Sequence, residues 1–99
     1  MSSPTSWTAG SVLITADGVV GTSGAPTRVF AIHVISDASA AVPLLENGTA
    51  ASNTTWIKET GTANTGKTFT YGDHGILFPD GCNVDCDANT ISVLVSYAQ

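Results

Sequence analysis

The sequence predicts an all-β chain: a single antiparallel β-sandwich, jelly-roll-like, of about eight short strands behind a flexible N-terminal arm. Three observations predict it. First, β-branched runs recur roughly every 8–12 residues between turn-forming clusters such as Asp17-Gly18, Asn47-Gly48 and Pro79-Asp80-Gly81, the spacing of a sandwich or barrel. Second, no stretch keeps an apolar period of about 3.6 residues between caps, so no long helix is expected. Third, 99 residues with no internal repeat suit one domain, because compact domains run to about 100–150 residues.

The elements follow in order. Residues 1–9 read as an arm, rich in Ser and Thr, with Pro4 and an isolated Trp7. Residues 10–99 form the sandwich domain. Ser11–Ala16 is a first strand, and Asp17-Gly18 is a hairpin-type turn. Val19–Thr22 then pairs back as a short second strand. Thr27–Ser36 is the strongest strand, with Val29, Ala31, His33 and Ile35 on one face and Phe30, Ile32 and Val34 on the other. Apolar on both sides, it should lie centrally and be covered on each.

Ala41–Glu46 contains Pro43, which cannot donate to a ladder, so an edge strand or a bulge is expected there. Thr54–Thr60 places Trp56 and Lys58 on one side. Thr68–Tyr71 and Ile76–Phe78 are short runs. Cys82–Asp87 alternates, with Cys82, Val84 and Cys86 inward and Asn83, Asp85 and Asp87 outward. Thr90–Tyr97 closes the chain, with Ile91, Val93, Val95 and Tyr97 on one face.

Charge excludes several functions. Arg28, Lys58 and Lys67 are the only basic residues, and the net charge is −5. Nucleic-acid binding needs clustered Lys and Arg to neutralise phosphates, and anionic membranes need the same. Neither partner is expected. No run approaches the ~20 apolar residues of a transmembrane helix, and the N-terminus shows no basic segment followed by an apolar run, so no secretory signal is read. Charged residues make up only 11% of the chain, against a usual level of about 25%. Small hydroxyl and methyl side chains take their place. A surface built of these is buried against a partner without desolvating many charges.

Catalytic constellations are missing. There is no Gly-x-Ser-x-Gly elbow. His33 reads as a packed or interface histidine and His74 as a solvated turn residue. Cys82 and Cys86, four apart on an extended run, have Cα atoms ~13 Å apart, too far for a disulfide. They read as small buried residues. No second cysteine pair accompanies them, so no zinc site is expected. Asp80, Asp85 and Asp87 with Asn83 and Asn89 lack the order of an EF-hand loop. No enzyme activity, metal or cofactor is therefore expected. Trp7 has no local core in its polar arm, and with Pro4 it is the candidate partner contact, since buried tryptophans anchor interfaces. Trp56 with Tyr71 is the one pair that could form a carbohydrate platform.

Four stretches are considered together: Gly24-Ala25-Pro26-Thr27-Arg28-Val29-Phe30-Ala31-Ile32-His33-Val34-Ile35, Leu44-Leu45-Glu46-Asn47-Gly48-Thr49, Lys58-Glu59-Thr60-Gly61-Thr62 and Gly75-Ile76-Leu77-Phe78-Pro79-Asp80-Gly81-Cys82. In style the chain resembles short structural proteins of tailed bacteriophages from about residue 12 onward. The resemblance implies a non-enzymatic virion component, foremost a capsid decoration (cement) protein, assembled in the host cytoplasm. It implies the major capsid protein or other virion subunits as partners, and a homotrimer. A tail or fibre appendage subunit is the alternative within that class, and a carbohydrate-binding β-sandwich module the alternative outside it. The resemblance carries no site residues.

Overall fold

A computed structural model describes residues 7–49 and 54–99. Nine strands form: β1 (Ala9–Ile14), β2 (Gly18–Val19), β3 (Thr27–Ser36), β4 (Leu44–Asn47), β5 (Thr55–Lys58), β6 (Gly66–Thr70), β7 (Ile76–Phe78), β8 (Cys82–Asp85) and β9 (Thr90–Ala98). All pairings are antiparallel. One sheet has the order β1-β9-β3-β6, with β7 also on β3, and the other runs β2-β8-β4-β5.

The pairing is nested. β4 pairs β5, β3 pairs β6 and β7, β2 pairs β8, and β1 pairs β9. One long hairpin is thus rolled into two facing sheets, which is jelly-roll topology. β6 and β7 lie end to end along the same side of β3, opposite Ala31–Ile35 and Thr27–Val29 respectively.

The core is the space between the sheets. The five-stranded sheet contributes Ile14, Val29, Ile32, Val34, Phe78, Val93 and Val95, and the other contributes Leu45, Ile57, Cys82 and Val84. Val20 and Ala41 fill the margins. Most of these side chains are β-branched and hold a single rotamer, so a thin core still packs uniquely.

Five expectations about the strands are corrected. The segment after Asp17-Gly18 does not pair back on β1; Gly18 and Val19 pair with Val84 and Asn83 of the opposite sheet. The Asp17 carboxylate accepts the Cys86 amide at 2.8 Å, and the Val20 amide reaches the Cys82 carbonyl at 2.8 Å. Crossing over buries Val20 completely, which a hairpin on β1 would not do.

β3 is central, but its faces are divided differently. The register with β9 shifts between Val29 and Ala31, leaving Phe30 as an extra residue. Such a bulge moves side chains to the other face. Val29 therefore joins Ile32 and Val34 inside, while Ala31, His33 and Ile35 face outward, half-buried. A second shift leaves Ile91 as the extra residue of β9. It stays 53% exposed instead of joining Val93 and Val95.

β4 is not an edge strand, since it lies between β8 and β5. Pro43 sits just before it, where its missing N–H interrupts no ladder. The bulge of this sheet falls instead on Trp56 of β5. Asn83, expected to face solvent, is buried opposite Glu46 and donates to its carboxylate at 3.0 Å.

Two polar clamps tie the ends of the roll. The Asp87 carboxylate accepts from the Thr90 hydroxyl at 2.7 Å and from the amides of Val42 at 3.0 Å and Asn89 at 3.2 Å. Burial alone would raise its pKa, but these donors win and hold it below the usual carboxylate value. The Gln99 side chain donates to the carbonyls of Val20 and Thr22 and to the Thr27 hydroxyl, and accepts from the Thr22 amide.

Phe78, fully buried between the sheets, is the largest side chain of the core. Phe78→Ala is expected to cost about 3–5 kcal/mol, read as a lowered urea midpoint with an unchanged slope. Asp87→Ala, which frees the Val42 amide, is expected to cost about 1–3 kcal/mol at pH 7. Because the folded pKa is lowered, the stability Asp87 supplies is present above the unfolded carboxylate range, near pH 4. It is lost as pH falls through the folded value. The gap between Asp87→Ala and the parent protein in unfolding assays is therefore expected to close under acid.

Candidate interaction face

The most unusual surface is the outer face of the five-stranded sheet. Register places its side chains in rows. One row runs Leu13, Leu94, His33 and Thr68 across β1, β9, β3 and β6. The next runs Ser11, Ser96, Ala31 and Thr70. Beyond the first lie Ser92, Ile35 and Gly66. Beyond the second lie Ala9, Ala98, Arg28 and Leu77.

Among the three basic and eight acidic side chains, Arg28 alone lies on this face. Its guanidinium carbon is 5.2 Å from the centre of the Trp7 ring, and Nη1 donates to the His74 carbonyl at 3.1 Å. Such stacking is a cation–π contact. Leu13 on the edge strand β1 and Leu94 on β9 lie directly across from each other, 57% and 40% exposed. The opposite outer face differs: Lys58 and Asp85 project from it, and Glu46 is buried on the same side beside Asn83. Lys67 lies on the core side of β6, with Nζ 5.2 Å from the Phe69 ring centre.

His33 is positioned by its neighbours on β6. Its Nδ1 is 2.7 Å from the Thr68 hydroxyl, and the ring occupies the space over Gly66. A Cβ on Gly66 would fall 2.4 Å from His33 Nε2, so glycine is what admits the ring. His74 is exposed in its turn. The residues proposed as partner contacts divide. Trp7 is half-buried against Arg28, and Thr8 and Gln99 exchange backbone hydrogen bonds at 2.9 and 3.1 Å. The last residues of the expected arm thus join the sheet. Pro4 lies outside the described residues.

Both cysteines are free. Burial, and then the nearby Glu46 carboxylate, push the Cys82 thiol up to about 12. Burial, and then the carboxylates of Asp17, Asp85 and Asp87, push Cys86 up to about 11. A nucleophilic cysteine needs the reverse, a cationic neighbour that favours the thiolate. Among the described residues no group of three or more His, Cys, Asp or Glu side chains is arranged to hold a metal ion.

The aromatic pair expected as a platform is split between two tasks. Trp56 tilts onto the buried Phe78, with ring centres 5.6 Å apart, and stays 43% exposed. The Tyr71 hydroxyl donates to the Glu59 carboxylate at 2.9 Å. Burial and that contact raise its pKa.

Comparison with known proteins gives no match: no family model, curated protein or solved structure is significantly similar to this chain. Geometry and composition therefore carry the functional reading. Sequence reasoning overlooked the uncharged face. Its signal was present in the alternate positions Ser11 and Leu13, Ser92, Leu94 and Ser96, and Thr68 and Thr70, but the Phe30 bulge hid which residues of β3 joined them.

The thiols offer a test of the fold around them. Cys82 is expected to resist alkylation at pH 8 in the folded protein and to react at once in denaturant. Because its folded value is raised, the stability it contributes is complete below the unfolded thiol value, near pH 8.5. That stability is lost as pH rises towards about 12. Unfolding midpoints measured between pH 8 and pH 11 are expected to fall, and to fall less in Cys82→Ala.

Proposed function

We propose that this chain is a non-enzymatic structural protein of a tailed-bacteriophage virion, and foremost a capsid decoration protein. The observation that carries the proposal is the outer face of the five-stranded sheet, which bears hydroxyl, methyl and leucine side chains and a single charge. The proposed occupant is a subunit of the major capsid protein. The other exposed charges lie on the opposite sheet, on the inner side of β6 at Lys67 and in the loops, where they maintain solubility. A face without carboxylates can dock on a shell without leaving a buried carboxylate unpaired. Trp7, beneath Arg28 at one end of this face, extends the contact. Pro4 and the rest of the arm would continue along the neighbouring subunit.

Stabilisation follows from mass action. A ligand that binds only the assembled shell shifts the equilibrium towards it by RT ln(1 + [L]/Kd). No bond need be made or broken, and the raised thiols and the separated histidines suit that role. A tail or fibre appendage would use the same face, and its location in the virion separates the two. The exposed ring of Trp56 favours a second reading, stacking on a sugar. Retention on no glycan array would remove it.

The decisive assay is sedimentation with purified phage shells that lack decoration. Leu94→Lys, in the centre of the face, is expected to lower binding by at least ~10-fold with an unchanged circular dichroism spectrum. Lys58→Glu, on the opposite face, is expected to bind as the parent does. Equal binding by both variants would remove the face from the proposal, and no binding by the parent to any shell would remove the shell.

A further inference from the structure

Among the described residues the two sheets have four free edges, one of them shared by β6 and the three-residue β7, and three of the four are blunted. β2 has two residues. β5 carries the Trp56 bulge and ends on Lys58. β6 carries an exposed Lys67. Charges, bulges and short length are the usual defences of an edge against unwanted pairing. β1 has none of them. Its six residues, Ala-Gly-Ser-Val-Leu-Ile, contain no charge and no proline, and pair with β9 without a register shift.

The direction of its free hydrogen-bonding groups follows from the ladder. Thr8 and Gln99 exchange both backbone bonds. Bonded and non-bonded pairs alternate along an antiparallel ladder, and the register then steps evenly from Ala9↔Ala98 to Ile14↔Val93. Gly10, Val12 and Ile14 therefore bond to β9. Ala9, Ser11 and Leu13 turn their N–H and C=O groups to the open edge, and all three are exposed.

We infer that β1 is the seam of a homodimer, in which two copies pair β1 against β1 about a two-fold axis through Ser11. This does not depend on the protein being part of a virion. The edge is complementary to itself. With Ser11 opposite Ser11, Ala9 meets Leu13 twice, a small side chain against a large one. Each of the three residues then donates one bond and accepts one. Self-complementarity selects a second copy as occupant, and although two chains of net charge −5 repel, this edge brings them together without opposing any carboxylates. The two five-stranded sheets would become one, and their uncharged outer faces would merge. A two-fold contact is isologous and closes on itself. A trimer would need this edge to meet a different one, and the others are blunted.

The test is light scattering of the full chain over roughly 1–300 µM, a range set by mass action. The parent is expected to approach the dimer mass as concentration rises. Ser11→Pro removes an N–H that points away from β9, so the fold is expected to persist while the dimer dissociates, a weakening of at least ~100-fold. Ser11→Lys, which sets two like charges on the axis, is expected to act the same way, and it decides the matter should the proline variant lose its β spectrum. Ser96→Lys, on the same face but one strand in, is expected to remain dimeric. A parent that is monomeric throughout, or trimeric, overturns the seam. So does a dimer that survives in a folded Ser11→Pro and in Ser11→Lys.

Discussion

The pairing of β3 with β9 holds the molecule together, and the two irregularities in that ladder decide what faces outward. These are the two longest strands. They lie side by side in the middle of the five-stranded sheet and supply Val29, Ile32, Val34, Val93 and Val95 to the core. They are also far apart in sequence, so the loop-closure entropy of the whole roll must be offset before this contact stabilises anything. The inner hairpins of β4 with β5 and of β3 with β6 shorten that search. The Asp87 and Gln99 clamps then fasten the corners where the chain passes between sheets.

The bulges have consequences beyond geometry. With Phe30 and Ile91 left over, Ala31, His33 and Ile35 align with Ser92, Leu94 and Ser96 rather than with the core. The result is a sheet with one packed face and one open face bearing almost no charge. In an isolated soluble domain the open face of an antiparallel sheet is usually the polar one. Here the solvent-accessible charges of the outward strand positions are Lys58 and Asp85 on the other sheet, against Arg28 alone on this one. That asymmetry suits a subunit that adheres by one side and keeps the other in water.

The same economy leaves little for chemistry. His33 is engaged with Thr68, Tyr71 with Glu59, and the thiols sit among carboxylates or in the core. Each of these contacts satisfies a polar group or fills space. None brings an activated nucleophile together with a base.

The sequence by itself determined the all-β class and the positions of nearly every strand. These are local matters: turn residues at Asp17-Gly18 and Pro79-Asp80-Gly81 and β-branched runs between them act over a few positions, so they are visible in one dimension. The partners of the strands were decided only by the tertiary structure. β2 crosses to β8 because that buries Val20, and β4 becomes central because Pro43 stops short of the ladder. Facing was decided there too. A single extra residue inverts a strand, and whether Phe30 or Ile91 is extra depends on matching two strands that are remote in the chain. The uncharged face and the open edge of β1 are products of that matching, so their residues could be read from the sequence while their assembly into one surface could not.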